Sequence, residues 1–182
     1  MIPHSSDGLT PLSQLLGQFG SALTPGPADA LDPFVVVPSE LLVDVCRFLR
    51  DEPSLKFEML NNLSGVDYLE PDPKKAAKAG FDPHLELVYH LSSFTYPGQR
   101  LTLKVLLPRW QDESAGKLPR VPTVSEIWPT ANWQEREVYD LLGIEFEGHP
   151  DLRRILLADD WIGHPLRKDY EFPLEYHGIR CR

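Results

Sequence analysis

Leu85, Leu87, Tyr89 and Leu91 alternate with Glu86, Val88 and His90, and the alternation returns at Leu101, Leu103 and Val105 after Tyr96-Pro97-Gly98-Gln99. A period of two sends successive side chains to opposite faces. Each run therefore predicts a half-buried strand, and the turn between them predicts an antiparallel hairpin. Upstream, Phe34-Val35-Val36-Val37 is a compact β-branched strand signal. Pro38-Ser39-Glu40 then opens a helix whose Leu41, Leu42, Val45, Phe48 and Leu49 share one face until Pro53. Thr10-Pro11, followed by Leu12, Leu15, Leu16, Phe19 and Gly20, supplies a cap, a first-turn proline, helical spacing and a stop. A further strand is expected from Leu60 to Asp67, with a period blurred by Asn61-Asn62.

The stretch 71–83 reads as a polar, proline-bounded excursion, 111–122 as loop, and 124–128 as a single helical turn. Asn132 with Glu135 three residues on is a capping-box pattern, and Gly143 follows Leu142, so a helix is predicted from Trp133 to Leu142. Beyond Gly143 the periodicity fades, and Leu152, Ile155, Leu156 and Leu157 offer the best candidate for one more helical turn. The pattern as a whole predicts an α+β fold of two-layer α/β type, with a mixed, partly antiparallel sheet packed with helices. Its expected organisation is an N-terminal helix and linker (1–33), an α/β core domain (34–147) and an extended C-terminal segment (148–182).

Composition narrows the function classes. The 182 residues fit one core and are 42% hydrophobic and 25% charged, as in a globular protein. No apolar run approaches the ~20 residues of a membrane-spanning helix, and Met1 to Gly8 carries no secretory pattern. Cys46 and Cys181 lie far apart without metal-ligand spacing, which suits a reducing compartment. A net charge of -9 argues against binding to a nucleic-acid backbone. The charge is also uneven: residues 1–147 hold 12 Lys/Arg against 21 Asp/Glu, whereas residues 148–182 hold six of each.

The candidate chemistry lies at that junction. Gly148-His149-Pro150 and Gly163-His164-Pro165 could supply two metal ligands beside Asp151, Asp159 or Asp160, in a set suited to non-haem iron. A proline after each histidine keeps the chain extended or turned, which favours instead a hydrogen-bonding anchor for backbone. Glu135 and Glu137 could do acid/base work, but they point to different faces of a helix. The alternatives are a salt-bridged helix face, or Arg136 or Glu137 turned inward to hold the following segment through charge-assisted bonds. Arg153-Arg154 and Arg167-Lys168 are interleaved with Asp151, Asp159, Asp160 and Asp169, which weakens a phosphate-binding reading. A neutral, proline-interrupted segment with Leu, Ile and Trp anchors cannot build its own core, so it is expected to lie along another surface. There is no GxGxxG, Walker A, GxSxG or HExxH motif.

The run Glu135 to Leu156, with its ERE, DLL, GIEFEG, PDL and RRIL pieces at fixed spacing, resembles the signature of the 30-kDa subunit family of respiratory complex I, the proton-pumping NADH:quinone oxidoreductase. DDWIGHPLRKDY (159–170) and WPTANW (128–133) extend the likeness, and a weaker one covers about residues 34–174. The resemblance implies an α/β domain in the peripheral arm with no flavin, iron–sulfur cluster or metal and no catalytic residue of its own. FMN and the Fe-S clusters would belong to partner subunits. It also implies a C-terminal segment laid across neighbours, namely the 49-kDa (D) subunit and the cluster-bearing B and I subunits. The chain would then be an enzyme only as part of a hetero-oligomeric translocase. It would bind no nucleic acid and meet the cytoplasmic side of the bacterial inner membrane through the complex alone. On this reading Glu135, Arg136, Glu137, Asp140, His149, Arg153, Arg154, His164, Arg167, Lys168 and Asp169 anchor the tail to its own domain and to a partner. Two alternatives stay open: the equivalent subunit of a related complex with another electron donor, and a stand-alone metal enzyme using His149 and His164.

Overall fold

The computed structural model describes residues 10–113 and 116–181. Helix α1 (Pro11–Phe19) starts at Thr10, whose hydroxyl accepts the Ser13 N–H. Short strand β1 (Thr24–Pro25) pairs antiparallel with β2 (Phe34–Val36), and a 3-10 turn at Ser39–Leu41 leads into α2 (Leu42–Asp51). Helix α2 stops two residues before Pro53, with Glu52 extended, because proline pushes the preceding residue out of the helical region. Strands β3 (Met59–Tyr68), β4 (His84–Ser92) and β5 (Arg100–Leu107) form an antiparallel meander, and β2 joins β5 in parallel. The five-stranded order is β1-β2-β5-β4-β3, the mixed, partly antiparallel sheet that the alternation predicts.

The blurred period of β3 has a structural cause. Leu60 pairs with Leu91 and Asn62 with His90, so Asn61 is an extra residue in a bulge. The bulge resets the alternation and lets both Leu60 and Leu63 face the core. Within the excursion, Asp72 caps a single helical turn, α3 (Pro73–Ala76).

One face of the sheet carries Leu85, Leu87, Tyr89, Leu91, Leu101, Leu103 and Val105 into a single core with α2 and α4 (Ala131–Leu142). Leu15 and Leu23, from the segment before Phe34, belong to the same core. Trp128 is buried, and its indole N–H donates to the Phe57 carbonyl at 2.9 Å. Gly65 sits under α4, where any Cβ would come 2.4 Å from Leu142.

Three expectations are corrected. Helix α4 begins at Ala131 rather than Trp133 and has no capping box. The Ala131 and Asn132 N–H groups donate to Trp128 and Pro129 carbonyls of the preceding turn, which leaves the Glu135 carboxylate free for another task. The loop 111–122 ends in a strand, β6 (Arg120–Pro122), which pairs in parallel with β7 (Glu145–Glu147). Three residues whose partner lies 25 positions away leave no local periodicity. Finally, Leu152 to Leu157 form no helical turn, and the last residues fold back as the small hairpin β8 (Glu175–Tyr176) and β9 (Ile179–Arg180).

Candidate docking surface

Helix α4 carries the residues that hold the segment after it. Arg136 and Asp140 are one turn apart and therefore share a face, and both are buried. The Asp140 carboxylate accepts Arg154 Nη1 at 2.7 Å on one oxygen. Its other oxygen accepts the backbone N–H groups of Ile155, Leu156 and Leu157 at 3.0, 2.8 and 2.9 Å. Three successive amides that would otherwise need a helix are thus satisfied by one side chain, which explains why no helical turn forms there. Burial pushes this carboxyl up, but the bonds from Leu157, Leu156, Arg154 and Ile155 outweigh it and hold Asp140 below its ordinary value. Arg136 donates to the carbonyls of Arg153 and Arg154 at 3.2 and 3.5 Å and lies 3.7 Å from Asp151. Arg154 also reaches the Gly163 carbonyl at 3.1 Å and so ties two parts of the segment together.

A second station sits at the C-terminus of α4. Gly143 is left-handed (φ 67°), which ends the helix and leaves its last carbonyls free. The Arg167 guanidinium fills that position, donating to the carbonyls of Leu142 (2.7 Å), Gly143 (3.1 Å) and Arg109 (2.9 Å) while stacking 3.8 Å from the Trp110 ring. A cation at a helix C-terminus also complements the macrodipole. Burial and the nearby Arg109 charge lower its pKa to about 10, so it stays charged at neutral pH. Beside it, Arg109 bridges two carboxylates: Asp67 on β3 through Nε and Nη2, both at 2.8 Å, and Asp169 through Nη2 at 2.7 Å and Nη1 at 3.1 Å. Asp67 also accepts the Lys168 backbone N–H at 2.8 Å.

Both histidines act on backbone. His149 accepts the Asp151 N–H at Nδ1 (3.0 Å), so Nε2 carries the proton and donates to the Asn132 carbonyl (3.0 Å). His164 donates from Nδ1 to the Asp140 carbonyl (2.9 Å) and lies against Gly143, where a Cβ would come 2.4 Å from the ring. Burial, opposed in part by the bond to Asp140, keeps its pKa low, in line with a neutral ring. Their two carbonyl partners are eight residues apart on α4, about 12 Å at a helical rise of ~1.5 Å per residue, so the rings do not share a site.

The remaining expected residues divide. Glu135 is fully buried but turns toward the domain, accepting the Val124 N–H (2.8 Å) and the Thr123 hydroxyl, with His149 Nε2 at 3.9 Å. Burial raises its carboxyl to about 7, against the lowering effect of those two bonds. Glu137 is exposed, so of the two candidates for an inward-turned anchor Arg136 is the one that serves. The Lys168 and Arg153 side chains are exposed too, and among the described residues Arg153 pairs only with exposed Asp151. Asp67, Arg109, Trp110 and Thr123 are not among the sequence expectations. Nothing local marks them, because the partners described here lie 42 to 101 positions away for the first three and 12 for Thr123.

With this geometry in place, the comparisons are specific. The family of the respiratory-chain NADH dehydrogenase 30 Kd subunit matches residues 35–176. The C subunit of NADH-quinone oxidoreductase from Roseiflexus sp. (strain RS-1) is 45% identical over 163 residues, covering 90% of this chain and 83% of that protein. The chain belongs to the 30 Kd subunit family. Within the family, lengths differ. The corresponding protein of Saccharopolyspora erythraea is 48% identical over 140 residues, but the match spans only 49% of its length. Among solved structures, the trypsin-resistant fragment (1-134) of Nqo5 is similar at 30% identity and a TM-score of 0.54, over 78% of this chain and 96% of that one. A chain of the membrane-bound sulfane sulfur reductase, an archaeal respiratory membrane complex, is similar at 26% identity and a TM-score of 0.65, over 88% and 83%.

The C-terminal segment in this 30 Kd family member exposes many of the chain's large apolar side chains. Leu156, Ile162, Leu166, Phe172, Leu174 and Ile179 are all exposed, half of the large hydrophobic side chains exposed among the described residues. Trp133 on α4 is 67% exposed. Such a concentration in a fifth of the chain makes it the candidate contact surface.

Proposed function

We propose that this chain is a non-catalytic structural subunit of the peripheral arm of NADH:quinone oxidoreductase. It would brace the quinone module while FMN and Fe-S clusters in other subunits carry electrons from NADH to quinone in a reaction coupled to proton pumping. Supporting this is the make-up of residues 148–181: charged anchors fix the segment to the domain, and six large apolar side chains are left exposed. The 49-kDa (D) subunit and the cluster-bearing B and I subunits are the proposed neighbours, with Arg153 and Lys168 as contacts toward them. The membrane is then met only through the complex, on the cytoplasmic side. Among the described residues no helix is long and apolar enough to cross a bilayer, and no group of three or more His, Cys, Asp or Glu could hold a metal.

The similarity to a chain of a sulfane sulfur reductase favours one second reading, the equivalent subunit of a complex with another electron donor. Both readings are tested by isolating the tagged chain from native membranes in mild detergent, identifying what accompanies it and assaying inhibitor-sensitive NADH:quinone activity. Flavin- and cluster-bearing companions with that activity support the first reading. The same companions without an NADH-oxidising module support the second, and a lone chain overturns both.

A further inference from the structure

Residues 160–176 form an open cavity of about 320 Å³ whose lining includes Trp161, Tyr170 and Tyr176 together with Asp160, Glu171 and Glu175. The aromatic walls belong to one cluster: Trp161 lies 4.9 Å from Tyr176 and 6.4 Å from Phe172, and Tyr170 lies 5.1 Å from Phe172. The three carboxylates are not equivalent. Asp160 is engaged by the Tyr176 hydroxyl (2.7 Å) and His177 Nε2 (2.8 Å). Glu171 and Glu175 are exposed and form no ion pair among the described residues, and Arg180, across the ladder from Glu175, does not pair with it.

Of the segment's positive charges, Arg154 and Arg167 point into the domain and Arg153 pairs with Asp151, so none of these three answers the two carboxylates. One further group is unanswered: the Trp161 indole N–H is enclosed and has no acceptor among the described residues. An aromatic wall with free carboxylates at its rim has the chemistry that holds an organic cation, by cation–π attraction and charge pairing together. Ile162 lines the cavity and Leu174 lies in sequence between its lining residues Pro173 and Glu175, 88% and 72% exposed, so the cation has to come with apolar surface around it.

We infer that this cavity is a socket for an arginine or lysine side chain of a neighbouring protein in the assembly, set among apolar residues. The inference rests on the docking role proposed above and adds the chemistry of what is docked.

The test uses the assembled complex from cells in which a photo-reactive amino acid replaces Ile162 or Leu174, with the cross-linked partner segment read by mass spectrometry. In parallel, the paired change Glu171→Lys and Glu175→Lys is compared with Glu145→Lys, remote from the cavity. The expected result is a cross-link to a partner segment containing a basic residue, and a loss of retention in the complex on the order of tenfold for the paired change, recovered by reversing the partner's charge. A cross-link to a segment without a basic residue, or unchanged retention of the paired variant, overturns the socket while leaving the docking role standing. An intact complex with no cross-link from either position overturns both.

Discussion

Strand β4 buries Leu85, Leu87, Tyr89 and Leu91 along one face, whereas from Gly148 to Cys181 a single residue, Arg167, is buried. The first region is excluded from water by apolar area, a force that needs no particular partner and leaves a period in the sequence. The second is held by a few charged side chains aimed at backbone groups, where geometry matters more than area. A protein that must present an apolar strip to a neighbour cannot use that strip to fix itself. Here the segment is held by Asp140, Arg154, Arg109 and Arg167, and although Leu152 packs against the core, Leu156, Ile162, Leu166, Phe172, Leu174 and Ile179 remain outside.

The contrast can be broken from either side. The largest effect is expected from Trp128→Ala, which removes the largest fully buried side chain and its bond to Phe57, at a cost of about 3 to 5 kcal/mol. Denaturant unfolding should register it as a loss for sheet and tail together. Asp140→Ala should cost roughly 3 kcal/mol but locally, because it strands the Arg154 charge and three amides. Hydrogen exchange should rise at Ile155 to Leu157 while the protection of β4 and β5 holds. Equal loss in both regions would mean that the tail is part of the same cooperative unit as the sheet.

Acidity should separate the regions in opposite directions. Glu135 has a folded pKa of about 7, raised from 4.5, so its contribution is fully present below pH 4.5 and is lost as the pH climbs through 7. Glu135→Gln removes that loss, and melting curves should show it up to about 3 kcal/mol more stable than wild type above pH 7, with little difference below pH 4.5. Asp140 and Asp169 are lowered instead. Their contribution is present above the unfolded value of 3.8 and fades as the pH falls toward their folded values, so protease sensitivity should appear first in the tail on acidification. The smallest effect on folding is expected from Arg153→Ala. Its side chain is 69% exposed, and the isolated chain should change by no more than about 0.5 kcal/mol. Complex yield is then the informative measurement for this residue: a fall places Arg153 at the interface, and a normal yield removes it.

The sequence's success follows the same division. Alternation found β4 and β5 and their antiparallel pairing, and Thr10-Pro11 and Gly143 marked a helix start and a helix stop, because each signal lies within a few residues of the element it specifies. The same reasoning placed a capping box at Asn132 and Glu135 and a helical turn at Leu152 to Leu157. Both patterns were locally sound, but tertiary partners prevailed in each: the Val124 N–H captured Glu135, and the Asp140 carboxylate captured the three amides. Of the anchor set, Arg136, Asp140, Arg154, Arg167 and both histidines could be singled out as charged or hydrogen-bonding groups, yet not which carbonyl or carboxylate each would meet.

The sequence by itself thus determined the strand faces, most helix limits and the change of character after Gly148, since periodicity, caps and charge balance are local properties. Only the tertiary structure decided that Asp67 and Arg109 would join Asp169, that Asn61 would bulge, and that Trp161, Tyr170 and Tyr176 would line an open cavity with Glu171 and Glu175. Those outcomes depend on directional bonds and ring contacts between residues distant in the chain, and their energies do not exist until the fold has brought the groups within a few ångströms.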